Sequence, residues 1–156
     1  MNTIAWSTDL EIGIPPIDKQ HKRIVDYINE LEKLKDSNTT KEVGDVLEQL
    51  VDYTLSHFAF EEELMEESGY VFVKAHKRVH QLFVRKIASY VERFKTGENI
   101  TNELLRTLRT WLVNHIKTDD NDYSLVVRRK MNIVTQKKGW LNNVINKIFG
   151  TKEVIS

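Results

Sequence analysis

The sequence predicts an all-α fold: an antiparallel up-down-up-down four-helix bundle followed by a short C-terminal amphipathic helix. Apolar residues recur at alternating steps of three and four along four long stretches, which is the spacing of one helical face. The breaks between these stretches are short, and short connections place consecutive helices antiparallel. A length of 156 residues suits one domain with its own core. We assign residues 1–130 to the bundle and residues 131–156 to a basic amphipathic extension.

The first predicted helix begins at Pro15 and Pro16 and runs to about Asp36. Proline suits a first helical turn because its ring presets φ and because the backbone N–H that it lacks has no helical partner there. The inward face of this helix consists of Ile17, His21, Ile24, Ile28 and Leu31.

The second predicted helix begins after Thr39, which stands three residues before Glu42 in the spacing of a capping box, and it ends at Gly69. Its inward face carries Val43, Leu47, Leu50, Thr54, His57, Glu61 and Leu64. A histidine and a glutamate therefore fall on the face that we expect to be buried.

The third predicted helix runs from about Tyr70 to Lys95, and the fourth follows a break at residues 96–99. Their inward faces are Val73, His76, His80, Phe83, Ile87, Tyr90 and Phe94 in the third, and Leu104, Leu108, Trp111 and His115 in the fourth. Asp120 follows His115 by five residues, which at about 100° per residue would point the two side chains apart. We therefore expect the helix to widen into a π-type turn, or to end, near Thr118 to Asp120.

All five histidines of the chain lie on these inward faces, where an unsatisfied polar group would be costly. Taken singly, His21 could be an ordinary hydrogen-bonded core histidine, and His57 with Glu61 an intrahelical pair. Taken together, the polar residues form a metal-ligand set, and Asp119 is an alternative to Asp120 within it. Imidazole and carboxylate without thiolate suit iron, manganese or zinc, and the chain has no cysteine. The candidate ligands are His21, His57, Glu61, His76, His80, His115 and Asp120.

Composition and charge exclude several classes of protein. No apolar run approaches the roughly 20 residues that a transmembrane helix needs. The first residues lack the basic start and apolar stretch of a secretory signal, so we expect a cytoplasmic protein. The net charge is zero, and we expect no nucleic-acid partner. Residues 121–156 carry seven Lys or Arg against Asp122 and Glu153, a net charge of +5, and the preceding residues carry −5.

The extension has an amphipathic pattern of its own. Its apolar residues are Trp140, Leu141, Val144, Ile145, Ile148 and Phe149, and the lysines at its margins are Lys137, Lys138 and Lys147. Such a segment docks on an apolar surface. We favour docking on the protein's own bundle, with a partner protein or an anionic membrane surface as alternatives.

The order of the candidate ligands resembles the signature of the hemerythrin family, H…HxxxE…HxxxH…HxxxxD. In this chain the signature reads His21, then HFAFE from His57, HKRVH from His76 and HIKTDD from His115. The match is complete, and the resemblance extends over about residues 1–130. It implies the four-helix architecture already indicated by the helical spacing.

The resemblance implies a non-haem di-iron centre and reversible dioxygen binding for storage, delivery or scavenging. His76, His80 and His115 would bind one iron, and His21 and His57 the other. Glu61 and Asp120 would bridge the two irons together with a solvent-derived oxo or hydroxo group, leaving one iron a vacant position for dioxygen. The apolar candidates for the dioxygen pocket are Ile24, Phe58, Trp111 and Leu112.

We do not expect an enzyme, because no side chain is implied as an acid or base. Two alternatives belong to other classes of protein. One is an oxygen or redox sensor that acts through a partner. The other is a di-iron peroxidase or nitric-oxide-handling enzyme.

Overall fold

The computed structural model describes residues 2–37, 40–133 and 140–149, and it confirms the helical bundle. The four bundle helices are α1 (Pro15–Leu34), α2 (Thr40–Glu67), α3 (Val73–Lys95) and α4 (Thr101–His115). Each connection between them is five residues long. Helix α2 packs against α1 and α3, and α4 packs back against α1. A single turn of 3-10 helix, Thr8–Leu10, precedes the bundle.

The helix ends follow from local chemistry. Pro15 occupies the first turn of α1, and the Asp18 carboxylate accepts hydrogen bonds from the N–H groups of Ile12 at 2.8 Å and Gly13 at 3.2 Å. At the end of α2, Gly69 has a φ of +74°, and the Tyr70 N–H donates to the Met65 carbonyl at 3.0 Å. This is a Schellman cap, which needs a left-handed residue and therefore favours glycine. The expected capping box at Thr39 lies outside the described residues.

The interior lies where the four predicted faces meet. In α1 every member of the predicted inward face is buried, and in α2 all but Thr54 are. The side chains with no more than 1% exposure include Ile17, Leu31, Leu64 and Leu104. Burial of such side chains is the main source of stability in a bundle of this kind.

The fourth helix continues through a π-helical turn, Ile116–Asp120, into α5 (Asn121–Ile133). The irregularity expected near Thr118 is therefore present, and it widens the helix without ending it. The Thr118 hydroxyl donates to the Asn114 carbonyl at 2.6 Å inside this turn. Because α5 passes through residue 130, the domain boundary placed there stays a prediction.

The C-terminal helix α6 (Trp140–Phe149) packs against α2. The Phe149 ring lies 5.9 Å from the Tyr53 ring and 5.7 Å from the Phe60 ring, measured between centroids. The Lys147 ammonium donates to the Glu63 carboxylate at 2.9 Å. Within residues 2–37, 40–133 and 140–149, no helix combines the length and apolar character that a membrane span requires.

Candidate metal centre

Five secondary-structure elements deliver polar side chains to one point in the bundle interior. His21 comes from α1, His57 and Glu61 from α2, His76 and His80 from α3, His115 from the end of α4 and Asp120 from the π-helical turn. None of the seven is more than 5% exposed. The structure therefore brings together every ligand candidate that the sequence predicted.

The ligand atoms form two groups that share both carboxylates. One group is Glu61, His76, His80, His115 and Asp120, and the other is His21, His57, Glu61 and Asp120. Within each group the ligand atoms lie within 4.8 Å of one another. A carboxylate that belongs to two adjacent ligand groups has one oxygen for each, which is the arrangement of a bridging ligand.

The π-helical turn decides which aspartate faces the cluster. The Asp120 Oδ1 lies 3.1 Å from the His115 Nε2 and 3.2 Å from the His76 Nε2. The neighbouring Asp119 instead accepts from the opposite ring nitrogen, His115 Nδ1, at 2.8 Å and keeps 41% of its side chain exposed. The wide turn thus puts Asp120 inside the cluster and leaves Asp119 at its outer edge.

Several buried polar atoms at this point have no hydrogen-bond partner among the described residues. They include the Nε2 atoms of His21 and His76, both carboxylate oxygens of Glu61 and both carboxylate oxygens of Asp120. They face one another at 3.0 to 3.5 Å without hydrogen-bond geometry. Unsatisfied buried acceptors of this kind are rare in folded proteins. A pair of cations between the side chains would satisfy them, so the donor set fits two metal ions.

The histidines and carboxylates of the cluster form a charged network. Burial opposes protonation of His21 and His76, but the carboxylates of Asp120 and Glu61, 3.0 to 3.5 Å from the ring nitrogens, outweigh it and raise both pKa values to about 9. Burial would raise the pKa of Glu61, yet the surrounding histidines, His57 first, hold it well below its ordinary value. At neutral pH the carboxylates are therefore ionised and ready to bind cations.

Two residues that the sequence did not single out contact the cluster. Gln20, which is 6% exposed, has its Oε1 2.7 Å from the His57 Nδ1. Tyr123 is fully buried with its ring centroid 5.3 Å from that of His76. The signal for Gln20 was present, because it is a polar residue on the inward face of α1 next to His21.

A small apolar cavity adjoins the histidines of both groups. Its cavity volume is about 10 Å³, which is enough for one water-sized molecule. All four predicted pocket residues line it: Ile24, Phe58, Trp111 and Leu112. The sequence did not identify the other residues outside the ligand set that line it: Ile28, Thr54, Phe83 and Leu108. These lie on the predicted inward faces, where spacing alone does not separate cavity lining from general core.

The fold and this cluster define a helical-bundle protein with a dinuclear histidine–carboxylate metal centre. Residues 13–124 match the family model described as the hemerythrin HHE cation binding domain. A bacteriohemerythrin of Stenotrophomonas maltophilia is 46% identical over 153 residues, covering 96% of this chain and 100% of the relative. A myohemerythrin of Theromyzon tessulatum is 28% identical, covering 76% of this chain and 88% of the relative.

Solved structures give the same result. The wild-type hemerythrin crystal structure superposes with a TM-score of 0.76 at 32% identity, covering 80% of this chain and 97% of that chain. This chain therefore belongs to the hemerythrin family. Its function is dioxygen binding, and its cofactor is a non-haem di-iron centre.

Proposed function

We propose that this chain binds dioxygen reversibly and does not turn over a substrate, and that seven residues hold its two irons. His76, His80 and His115 would hold one iron, His21 and His57 would hold the other, and Glu61 and Asp120 would be shared by both. The observation that carries this assignment is the pair of ligand groups sharing both carboxylates. When bound, a di-iron centre would supply two electrons to dioxygen.

The chain's own residues fix the orientation of the ligands. The Gln20 Oε1 accepts a hydrogen bond from the Nδ1–H of His57, which leaves the Nε2 of that ring free to bind a metal. The His57 Nε2 is in contact with the Glu61 carboxylate. Phe58 stacks on the His80 ring with a centroid distance of 3.8 Å and an interplanar angle of 7°. These contacts limit rotation of the imidazoles, so the ligands are preorganised for the metal.

The lining of the cavity supports carriage over catalysis. Apart from the histidine ligands, its lining residues with polar side-chain atoms are Thr54 and Trp111. Neither side chain exchanges a proton near neutral pH, which a general acid or base must do. The apolar residues around them exclude water from this side of the cluster, which would limit unwanted oxidation of a bound metal.

Peroxide turnover separates a carrier from an enzyme. The iron-loaded protein should contain two irons per chain. When hydrogen peroxide and a reducing dye are supplied together, it should oxidise the dye slowly, if at all. Sustained oxidation of the dye, at a rate proportional to the loaded protein, would assign the chain to the peroxidase class.

We also propose that α6 rests on the bundle. It contacts Phe60 and Glu63, which flank the ligand Glu61 on α2. This closeness is the one observation that favours an oxygen sensor as the second candidate function. Protease sensitivity of α6 that differs between the oxygenated and deoxygenated protein would support the sensor, and equal sensitivity would exclude it.

A further inference from the structure

His115 has a carboxylate on each side of its ring. Its Nε2 faces the cluster, 3.1 Å from Asp120 Oδ1. Its Nδ1 faces outward, 2.8 Å from Asp119 Oδ2. When a metal occupies Nε2, the ring proton resides on Nδ1 and is donated to Asp119. That hydrogen bond has a charged acceptor and is stronger than one to a neutral group.

In the second ligand group, the hydrogen-bond partner of the outer imidazole nitrogen is uncharged. The His57 Nδ1 donates to the Oε1 of Gln20, an amide, at 2.7 Å. A second carboxylate lies beside the ligand group that contains His76, His80 and His115. The Glu62 Oε1 is 3.9 Å from the His80 Nδ1. That distance is too long for a direct hydrogen bond but within reach of a charge interaction. Asp119 and Glu62 therefore place two outer carboxylates beside the group that contains three histidines.

We infer that Asp119 is a positioning residue that makes His115 a stronger electron-pair donor to a bound metal. It thereby favours the oxidised state of the metal that His76, His80 and His115 would hold. This inference rests on the ligand assignment proposed above. A carboxylate on the outer nitrogen of a metal-bound imidazole fixes the tautomer and raises the basicity of the ring. A more basic ligand stabilises the ferric ion more than the ferrous ion. Asp119 would thus make a metal held by His115 easier to oxidise.

The size of the effect follows from the exposure of Asp119. Loss of an outer partner commonly lowers metal affinity by about 10- to 100-fold. Because 41% of the Asp119 side chain is exposed, solvent screens its charge. We therefore expect Asp119→Asn to weaken metal binding by roughly 3- to 10-fold, at or below the low end of that range.

The test uses Asp119→Asn with Asp122→Asn as the matched control. Both variants remove one negative charge from an acidic side chain that lines the same pocket beside His76, but Asp122 is exposed and makes no described contact with His115. Asparagine keeps an acceptor oxygen, so the first variant tests charge with little change of shape. Two quantities are measured: Co²⁺ affinity of the metal-free protein with its visible spectrum, and the reduced-to-oxidised ratio of the iron-loaded protein at a fixed mediator potential.

We expect Asp119→Asn to lower Co²⁺ affinity, shift the visible Co²⁺ bands and raise the reduced fraction of the iron form, with Asp122→Asn close to wild type. Equal behaviour of the two variants in all three readouts would overturn the role of Asp119 and leave the ligand assignment intact. Failure of the wild-type protein to bind Co²⁺ tightly would instead overturn the ligand assignment itself.

Discussion

Each ligand candidate is buried in the interior of the bundle, so its side chain affects both metal binding and the stability of the fold. His76 and His80 lie one turn apart on α3 with ring centroids 4.5 Å apart. The His76 Nε2 and the His80 Nδ1 are buried and have no hydrogen-bond partner among the described residues. Binding energy at such a site is also folding energy, because the unfolded chain has no preformed site.

Replacing His76 or His80 with alanine should lower the iron content well below two per chain and lower the melting temperature of the loaded protein. The reason is the loss of a ligand in the core together with the metal-derived part of the stability. Iron analysis after anaerobic loading and thermal unfolding measure both effects. Arg78→Ala, an exposed position on the same helix, is the matched control. Equal iron content in all three variants would refute the assignment.

Asp120 and Asp119 are adjacent but should respond very differently to removal. Asp120→Ala should abolish stable dioxygen binding, because it removes a carboxylate shared by both ligand groups. Asp119→Ala should retain dioxygen binding with somewhat weaker metal affinity, since its contact is with the outer nitrogen of His115. Spectrophotometric oxygen titration distinguishes the two. The reverse order of severity would mean that the π-helical turn presents the other aspartate.

The metal-free protein should lose stability as the pH rises through about 9. His21 and His76 have pKa values raised to about 9, since Asp120 and Glu61 outweigh the effect of burial. A raised folded-state pKa gives stability that is fully present below the unfolded value of about 6.5 and is lost above the folded value. Melting temperatures between pH 6.5 and 9.5 should fall for the metal-free protein and fall less for the iron-loaded protein. A metal-free curve that is flat or rises across this range would contradict the assigned ion pairs.

The ligand residues were predictable from the sequence because helical spacing puts each of them on an inward face. The residues that contact the outer ring nitrogens of these histidines were not predictable from the sequence. Gln20 acts on His57, 37 residues away, so the contact depends on how α1 and α2 pack. Asp119 acts on the Nδ1 of His115 only because the π-helical turn has already placed Asp120 on the other side of the ring.

Among the elements, the π-helical turn and α6 matter most for function. The turn was predictable from the five-residue step between His115 and Asp120, which a regular α-helix does not bring to one face. Amphipathic character predicted that α6 would seek an apolar surface. Which surface it would contact depended on the apolar groups that the bundle leaves open, and Tyr53 and Phe60 are among them.

Removal of the chain after about residue 135 should lower the melting temperature and leave oxygen binding largely unchanged, because all seven ligands remain. Phe149→Ala should give a smaller loss of stability, since it removes the ring contacts with Tyr53 and Phe60. Asn146→Ala, at an exposed position on α6, is the control. Unchanged stability of the truncated protein, together with loss of binding to anionic vesicles, would make the tail a membrane-surface anchor.

At the scale of the whole molecule, the bundle holds its metal centre where four helices and one wide turn converge. The connections of five residues require neighbouring helices to run antiparallel. Because the helical spacing of apolar residues and the short breaks are both visible in the sequence, the architecture was predictable. Spacing did not give the depth at which histidines from different helices meet. That depth depends on the packing of apolar side chains such as Ile24 and Leu112 around the centre.

The most direct test is the visible absorption of the iron-loaded protein through repeated cycles of air and deoxygenation. Addition of air to the diferrous protein should produce a ligand-to-metal charge-transfer band that disappears under inert gas and returns on re-exposure. The apolar cavity next to the histidines should make this cycle repeatable with little loss of amplitude. A single irreversible conversion to a diferric product in the first cycle would contradict reversible dioxygen binding.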